Sequence, residues 1–203
     1  MLKKVLLVIG GIIGLLLVVS LFLPSKVHVE RSTVINASAT KIFPEVNSLQ
    51  KWSAWDPWQQ KDPNVQNTYS GPESGVGNTN TWKSDNKEVG SGSQTISESV
   101  PNETIKAKLA FGQKGEKGGG TGFFTFTPEG EATKVTWGMD MDMGMNPIGR
   151  YMGLMMDKWL GKDFDQGLNN LKAHVESLPD EAPPVADATV AGDTAAAAPP
   201  AGN

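Results

Sequence analysis

The segment Asn146–Leu178 is the stretch of this chain that most limits its fold, because its apolar residues recur with the period of one long helix. The front half carries a first apolar series at spacings of 4, 3 and 4, made up of Ile148, Met152, Met155 and Trp159. The rear half carries a second series, made up of Leu160, Phe164, Leu168, Leu171, Val175 and Leu178. At about 100° per residue the two series lie on different sides of the helix. We therefore expect a bend or restart at Gly161, or two halves that bury different faces.

The rest of the central region alternates apolar and polar residues, which predicts strands. The apolar positions in these runs are Ile105, Ala107, Leu109, Phe111, Phe124, Phe126, Val135, Trp137, Met139, Met141 and Met143. Turn residues recur about every ten residues after Asn64, which is typical of an antiparallel meander. Upstream, Val27–Asn36 has strand propensity, and Ser38 is a candidate N-cap for a helix through Leu49 that contains Pro44. The long helix must cover the apolar face, so we predict an α+β fold in which a curved antiparallel sheet grips it.

The amino terminus contains an uncharged apolar run, Val5–Leu23, preceded by Lys3 and Lys4. Its 19 residues span about 28 Å as a helix, close to the thickness of a bilayer core. A signal sequence is the alternative, but its apolar region is usually about 7 to 15 residues long. We predict an uncleaved anchor in residues 1–26, with the domain on the periplasmic or extracytoplasmic side.

The folded domain is expected to span residues 27–178. Residues 179–203 are rich in Ala and Pro and carry no aromatic side chain, so we predict a disordered tail.

Composition excludes several classes of protein. The net charge of −4 and the lack of a basic cluster argue against a nucleic-acid partner. The absence of cysteine excludes disulfides, a thiol nucleophile and a zinc–thiolate site. His28 and His174 are the only imidazoles, and neither stands in a triad pattern, so we predict neither a metal site nor a cofactor.

Five segments resemble one known superfamily: VHVERSTVINASATKIFPEVNSLQKWSAWDPW, GVGNTNTW, ISESVPNETI, TKVTW and GKDFDQGLNNLKAHVE. In this order they are similar to the START-like, birch-pollen-allergen-like proteins (SRPBCC), often described as polyketide cyclase/dehydrase and lipid transport. The resemblance implies a helix-grip fold: a strand, two short helices, six antiparallel strands and a long carboxy-terminal helix over a cavity. In relatives that cavity takes sterols, lipids, polyketides or other apolar molecules. The anchor and the tail lie outside the resemblance.

Two clusters of residues are candidates for a ligand cavity. In the tryptophan-rich segment 52–58 we expect Trp52 in the core and Trp55 and Trp58 at the cavity, although all could be core residues. Seven of the eight methionines fall between 139 and 156, which predicts a soft-walled pocket or irregular core filler. The predicted ligand-binding residues are Trp55, Trp58, Trp82, Leu109, Phe124, Phe126, Trp137, Met139, Met141, Met152, Met155, Trp159 and Arg31.

Charged and glycine-rich segments offer weaker candidates. Arg31 can pair with Glu98 or Glu103, or reach into the cavity. Asp140 and Asp142 are expected on the solvated face, with no histidine predicted near them. Gly112–Gly122 contains no phosphate-binding motif and is interpreted as a flexible hairpin tip or lid.

The favoured function is membrane-tethered binding of a hydrophobic small molecule or lipid, without a catalytic site. No acid, base and nucleophile can be brought together from the sequence, which argues against an enzyme without deciding the matter. A cyclase or dehydratase that uses an Asp, Arg31, Tyr69 or Tyr151 on a polyketide-like substrate is one alternative. A structural or partner-binding domain with a filled core is another, and protein partners are not predictable.

Overall fold

The computed structural model describes residues 1–112 and 118–179. The predicted tail beyond Pro179 and the centre of the glycine-rich segment Gly112–Gly122 lie outside the described residues. The helices are α1 (Leu2–Ser20), α2 (Ala39–Val46), α3 (Pro57–Lys61) and α4 (Pro147–Ser177), with a 3-10 turn at Lys51–Ala54 between α2 and α3. The strands are β1 (Lys26–Ile35), β2 (Gln66–Ser70), β3 (Thr79–Lys83), β4 (Ser91–Val100), β5 (Thr104–Phe111), β6 (Gly119–Glu129) and β7 (Ala132–Asp142).

Within the described residues, the seven strands form one antiparallel sheet in the order β1-β7-β6-β5-β4-β3-β2. The register places apolar residues of neighbouring strands opposite one another, as with Val29 and Met139, or Phe124 and Trp137. Because side chains alternate along a strand, these pairs build one continuous apolar face. The predicted α+β helix-grip fold, with a curved sheet on a long carboxy-terminal helix, is confirmed.

The main core lies between this face and the rear half of α4. The second apolar series supplies it, since Phe164, Leu168, Leu171 and Val175 are all buried. Each such side chain stabilises the fold by about 1.5–3 kcal/mol relative to an exposed position. The rear half of α4 therefore holds the helix on the sheet.

Helix α4 differs from the prediction in its front half. It runs unbroken from Pro147 to Ser177, so the helix does not restart at Gly161. The first apolar series is not buried against a second partner but lies exposed. Gly161 instead gives room to Arg31, whose guanidinium occupies the space that a Cβ would need.

Arg31 anchors the middle of α4 to β1. Its Nη1 lies 2.9 Å from Oδ1 of Asp157, and its Nε lies 3.4 Å from Oδ2 of Asp165. The predicted partners were wrong: Glu98 pairs with Lys106, and Arg31 is directed at α4 rather than at a cavity. The sequence did not reveal this pairing because it depends on which turn of α4 crosses β1.

Helix α2 is shorter than predicted, since it ends at Val46 rather than at Leu49. Ser38 is the N-cap residue, but its hydroxyl contacts that of Thr40 and makes no capping hydrogen bond. Pro44 lies inside this eight-residue helix, where it withholds one backbone donor.

Helix α1 is long and apolar enough to cross a bilayer, with a mean hydropathy of 2.5, and it is the single such helix in the described part of the chain. Its carboxyl end is tied to the first turns of α4. Nη1 of Arg150 donates to the carbonyl oxygens of Ser20, Leu21 and Leu23 at 3.0, 3.0 and 3.3 Å. Ser20 ends α1 and its carbonyl also accepts from the backbone N–H of Leu23 at 3.3 Å, while Leu21 and Leu23 lie just beyond the helix, so Arg150 acts as a carboxyl-terminal cap.

Candidate functional site

A cavity of about 480 Å³ lies between the front half of α4, the segment around α3 and the far side of the sheet. This volume falls in the usual range for small-molecule sites. Its apolar wall consists of Trp52, Trp58, Val65, Trp82, Val89, Leu109, Phe111, Met139, Met152, Met156 and Leu160. Its polar wall consists of Asp56, Asn67, Asn80, Lys87, Glu88 and Gln94.

The sheet side of the cavity is built by inward-facing residues of β3, β5 and β7. Trp82 faces Gly92 of β4 across the strand pair, and a Cβ at Gly92 would lie 2.5 Å from the indole. The glycine thus lets the Trp82 ring lie across β4. The indole Nε1 donates to the carbonyl of Val89 at 3.3 Å, which fixes the ring orientation.

The helix side of the cavity is built by Met152, Met156 and Leu160. They recur every four residues and so follow one line along α4. This line is neither of the two series read from the sequence, although it shares Met152 with the first and Leu160 with the second. The methionine side chains make a flexible, polarizable wall.

The tryptophan-rich segment contributes differently from the prediction. Trp55 is fully buried, and its Nε1 donates to the carbonyl of Glu45 at 3.3 Å, so it belongs to the core. Trp52 is largely buried too, yet one side of it lines the cavity together with Trp58. Trp52 therefore lies in the core as expected, and Trp55 lies there with it instead of lining the cavity.

Other predicted residues lie outside the large cavity. Phe124 and Trp137 border a separate hollow of about 40 Å³ beneath it, with room for a water molecule or two. Phe126 is buried against Phe43 in the core. Met141 is buried and borders an open surface groove of about 560 Å³ beside β1.

Three further candidates do not reach the cavity. Met155 and Trp159 are exposed on the outer side of α4, and Arg31 is held by Asp157 and Asp165. The cavity wall therefore contains five of the predicted residues: Trp58, Trp82, Leu109, Met139 and Met152. Their role in binding a ligand stays a prediction.

One corner of the cavity is polar. Asn80, on β3, donates through Nδ2 to Oδ1 of Asn67 on β2 at 3.1 Å. Its own Oδ1 is buried and has no hydrogen-bond partner in the described residues. An unpaired buried acceptor costs about 1–3 kcal/mol. A hydrogen-bond donor that reached this oxygen would remove that cost.

Asp56 lies in the cavity wall next to this corner and is also the N-cap residue of α3. Its Oδ1 accepts from the backbone N–H of Trp58 at 3.0 Å. Burial raises the pKa of Asp56 to about 6, and the charge of Asp163 adds to the effect. Tyr69 lies near enough that its pKa is also raised, by burial and by the charge of Asp56.

Sequence reasoning missed the polar corner and most of the helix wall. Asn80 and Gln94 face each other across β3 and β4, each two positions from an inward apolar residue, Trp82 and Ile96. A search for polar residues at inward strand positions could have found them. The absence of continuous apolar alternation in β2–β4 hid these positions.

The histidines have charged partners away from the cavity. His28 Nδ1 lies 2.7 Å from Oδ1 of Asp140, so the expectation of no histidine near Asp140 was wrong. Hydrogen bonding to Asp140 raises the pKa of His28, with Glu30 adding to the shift. His174 pairs with Glu45 at 2.9 Å. Across the described residues, no group of three His, Asp or Glu side chains could hold a metal ion.

The curved sheet, the gripped helix and the apolar cavity define a helix-grip domain of the START-like class. The profile of the family "Polyketide cyclase / dehydrase and lipid transport" matches residues 26–176, and the chain belongs to this family. A search of curated protein sequences gave no match.

Solved structures share the fold at low sequence identity. The di-domain ARO/CYC protein BexL from the BE-7585A biosynthetic pathway has a TM-score of 0.56 and 16% sequence identity. The alignment covers 76% of this chain and 52% of BexL. Protein Ms6760 from Mycobacterium smegmatis has a TM-score of 0.53 and 14% identity, covering 74% of this chain and 91% of its own. A protein from Nitrosospira multiformis has the same score and identity, covering 74% and 97%. These likenesses bear on the fold alone.

Proposed function

We propose that this protein binds a hydrophobic small molecule or lipid in the cavity beside α4 while α1 holds it at a membrane. The observation that carries the proposal is the cavity of about 480 Å³ with a largely apolar wall. A filled core would have favoured a structural or partner-binding domain. The domain boundaries that go with this proposal are an anchor in 1–26, the binding domain in 27–178 and a tail in 179–203.

The wall favours a ligand with a flexible or irregular apolar body. Met139, Met152 and Met156 adapt their shape at low cost, and Trp58 and Trp82 offer flat apolar surfaces. Burial of apolar ligand surface stabilises such a complex by about 25 cal/mol per Å² before the costs of association. Shape selectivity is therefore expected to be broad.

The polar corner favours a ligand with one small polar group. The unpaired Oδ1 of Asn80 accepts a hydrogen bond, so the matching group is a donor such as a hydroxyl. Asp56 can donate when protonated and accept when ionised. An amphiphile whose polar group is a hydroxyl or another uncharged head group matches both the apolar wall and the polar corner of the cavity.

The tether favours a ligand drawn from the membrane. Only residues 21–25 connect α1 to β1, so the domain has a high effective concentration at the bilayer surface. Lys3 and Lys4, in the first turn of α1 and ahead of its apolar run, favour a cytoplasmic amino terminus, which places the domain on the other side.

The test reconstitutes the full chain in lipid nanodiscs and then extracts the protein. Native mass spectrometry measures how much of an apolar molecule stays bound to it. We expect a co-purified apolar molecule at about one per protein. Met156→Trp fills the cavity and should reduce the bound amount at least tenfold, whereas Leu154→Trp, on an exposed side of the same helix, should not. Equal occupancy in the two variants, or an empty wild-type protein, would contradict the proposal.

A second candidate function is a cyclase or dehydratase in which Asp56 transfers a proton on a polyketide-like substrate. Its support is the raised pKa of Asp56, which would let this carboxyl act as acid and base near neutral pH. Arg31 and Tyr151 lose their place in this scheme, since Arg31 pairs with Asp157 and Tyr151 donates to the carbonyl of Leu16.

The two candidates are separated with a linear poly-β-ketone mimic as the probe. If Asp56→Asn keeps binding and loses cyclisation, the enzyme is favoured. If wild-type protein binds the mimic and leaves it unchanged, binding alone remains.

A further inference from the structure

The outer face of the front half of α4 is apolar and has no partner in the described residues. Met145 is 81% exposed, Ile148 73%, Met152 48%, Met155 45% and Trp159 47%. The four helical members stand at spacings of 4, 3 and 4 and share one side of the helix. We refer to these five residues as the outer stripe. A contiguous apolar surface of this kind marks an interaction site on a folded protein.

The outer stripe does not belong to the core of the domain. The residues that hold α4 on the sheet, Phe164, Leu168, Leu171 and Val175, continue a line about half a turn away from Ile148. Gly153 and Asp157, which approach β1 through Val27 and Arg31, lie on that same inner side. Apart from Met152, which also borders the cavity, the stripe therefore points away from the sheet.

The stripe is continuous with the candidate membrane span. Tyr151, one turn into α4, donates from its hydroxyl to the carbonyl of Leu16 at 2.9 Å. Leu16 lies inside the apolar run, a full turn before the end of α1 at Ser20. Together with the cap that Arg150 provides, this contact sets the first turns of α4 at the depth of the last turns of α1.

The order of residues along the stripe suits a bilayer surface. Away from α1, methionines and isoleucine come first, then Trp159, and one turn later the exposed Lys162. Tryptophan is enriched at the level of lipid head groups, and lysine extends toward phosphates. A helix with this arrangement lies in the membrane interface on its apolar side.

We propose that the outer stripe is inserted in the interfacial layer of the same bilayer that α1 spans. The inference rests on the proposed membrane tether. Met152 belongs both to the stripe and to the cavity wall, so the cavity rim lies at the level of the lipids. An apolar ligand can then pass between bilayer and cavity without crossing bulk water.

The test measures membrane depth by spin labelling, which is direct here because the chain has no cysteine. Single nitroxide labels are placed at Ile148, Met155 and Asn169 in the full chain. The protein is reconstituted in vesicles of phosphatidylcholine with a minority of phosphatidylglycerol. We expect the ratio of collisions with oxygen to collisions with a nickel chelate to be several-fold higher at Ile148 and Met155 than at Asn169, an exposed position on the rear half of α4.

A fourth label, at Leu7 of α1, separates failure of this inference from failure of the tether. If Leu7 is in hydrocarbon while Ile148 and Met155 match Asn169, the stripe is not inserted and the inference is overturned. If Leu7 is also in water, the tether itself is absent. Strong dipolar broadening at Met155 with low oxygen access would show that a second copy of the chain covers the stripe, which also overturns the proposal.

Discussion

Trp137 of β7 stacks on Phe164 of α4, with ring centroids 4.6 Å apart and planes inclined by 22°. This contact lies at the boundary between the closed core and the cavity, because both rings border the small hollow. It is part of the packing that holds the rear half of α4 on the sheet.

Replacing Phe164 with Ala should be among the most damaging changes in the domain. It removes a buried ring and leaves a void, for a loss of about 3–5 kcal/mol in the free energy of unfolding. Denaturant unfolding in mild detergent, followed by tryptophan fluorescence, measures the loss. Met156→Ala is the matched control on the cavity wall, where space already exists, and should cost less. A smaller loss for Phe164→Ala than for Met156→Ala would contradict this account of the core.

Two glycines of α4 should respond differently to alanine. A Cβ at Gly167 would overlap Trp137 and the ring of Pro57, both fixed in the core, so Gly167→Ala should lose about 1–3 kcal/mol. A Cβ at Gly161 meets only the end of the flexible Arg31 side chain. The gain in helix propensity, about 1 kcal/mol, should offset the weakened ion pairs and leave Gly161→Ala near neutral.

The same two variants test the role of Arg31. In an Arg31→Ala background, Gly161→Ala should become stabilising by about 1 kcal/mol, while Gly167→Ala should cost as much as before. Chemical denaturation of wild type, Arg31→Ala and the two glycine variants in each background, six proteins in all, measures these differences. Unchanged behaviour of Gly161→Ala in both backgrounds would show that Arg31 and Gly161 are not coupled.

Asp56 should make stability depend on pH. Its pKa rises from 3.8 to about 6 on folding, so the folded state holds the proton more tightly than the unfolded state. The free energy of unfolding should therefore be highest below about pH 4, fall as pH rises to about 6, and level off above. Asp56→Asn keeps an acceptor for Trp58 and removes the titration, so it should be more stable than wild type at neutral pH by about 1–3 kcal/mol. The Asp56 carboxyl should titrate between about pH 4 and 7. Stability curves of the two proteins that run parallel over this range would argue against a buried carboxyl.

Asn80 should select ligands by their polar group. Asn80→Leu removes the unpaired oxygen, so a long-chain alcohol should lose about tenfold in affinity, or about 1.4 kcal/mol. The matching methyl ether cannot donate a hydrogen bond and should bind both proteins equally. Competition against a fluorescent fatty probe on the full chain measures both affinities. An equal loss for alcohol and ether would mean that Asn80 affects only the shape of the cavity.

Much of the fold could be predicted because it follows from the local periodicity of the apolar residues. Alternation in β5–β7 and the second apolar series of α4 define a sheet face and a helix face that must meet. The first apolar series shows the limit of this reasoning. Periodicity identifies Ile148 and Trp159 as one face, but it cannot say whether protein, lipid or solvent covers that face.

The candidate site was harder to predict because it depends on how elements cross. Trp55 lies in the core rather than at the cavity, and the crossing of α4 over β1 determines which carboxylates pair with Arg31. The polar corner joins Asn67, Asn80 and Gln94 from three strands that lack regular apolar alternation. None of these features produces a recognisable pattern within one short stretch of consecutive residues.

The five residues between α1 and β1 can span at most about 17 Å when fully extended, and the Arg150 cap keeps them shorter still. With α1 in a bilayer, the domain can neither swing to an opposing membrane nor shuttle cargo across an aqueous gap. Whatever it takes up must come from its own leaflet or arrive on a freely diffusing carrier. Movement of cargo between two membranes would then require a second, soluble protein.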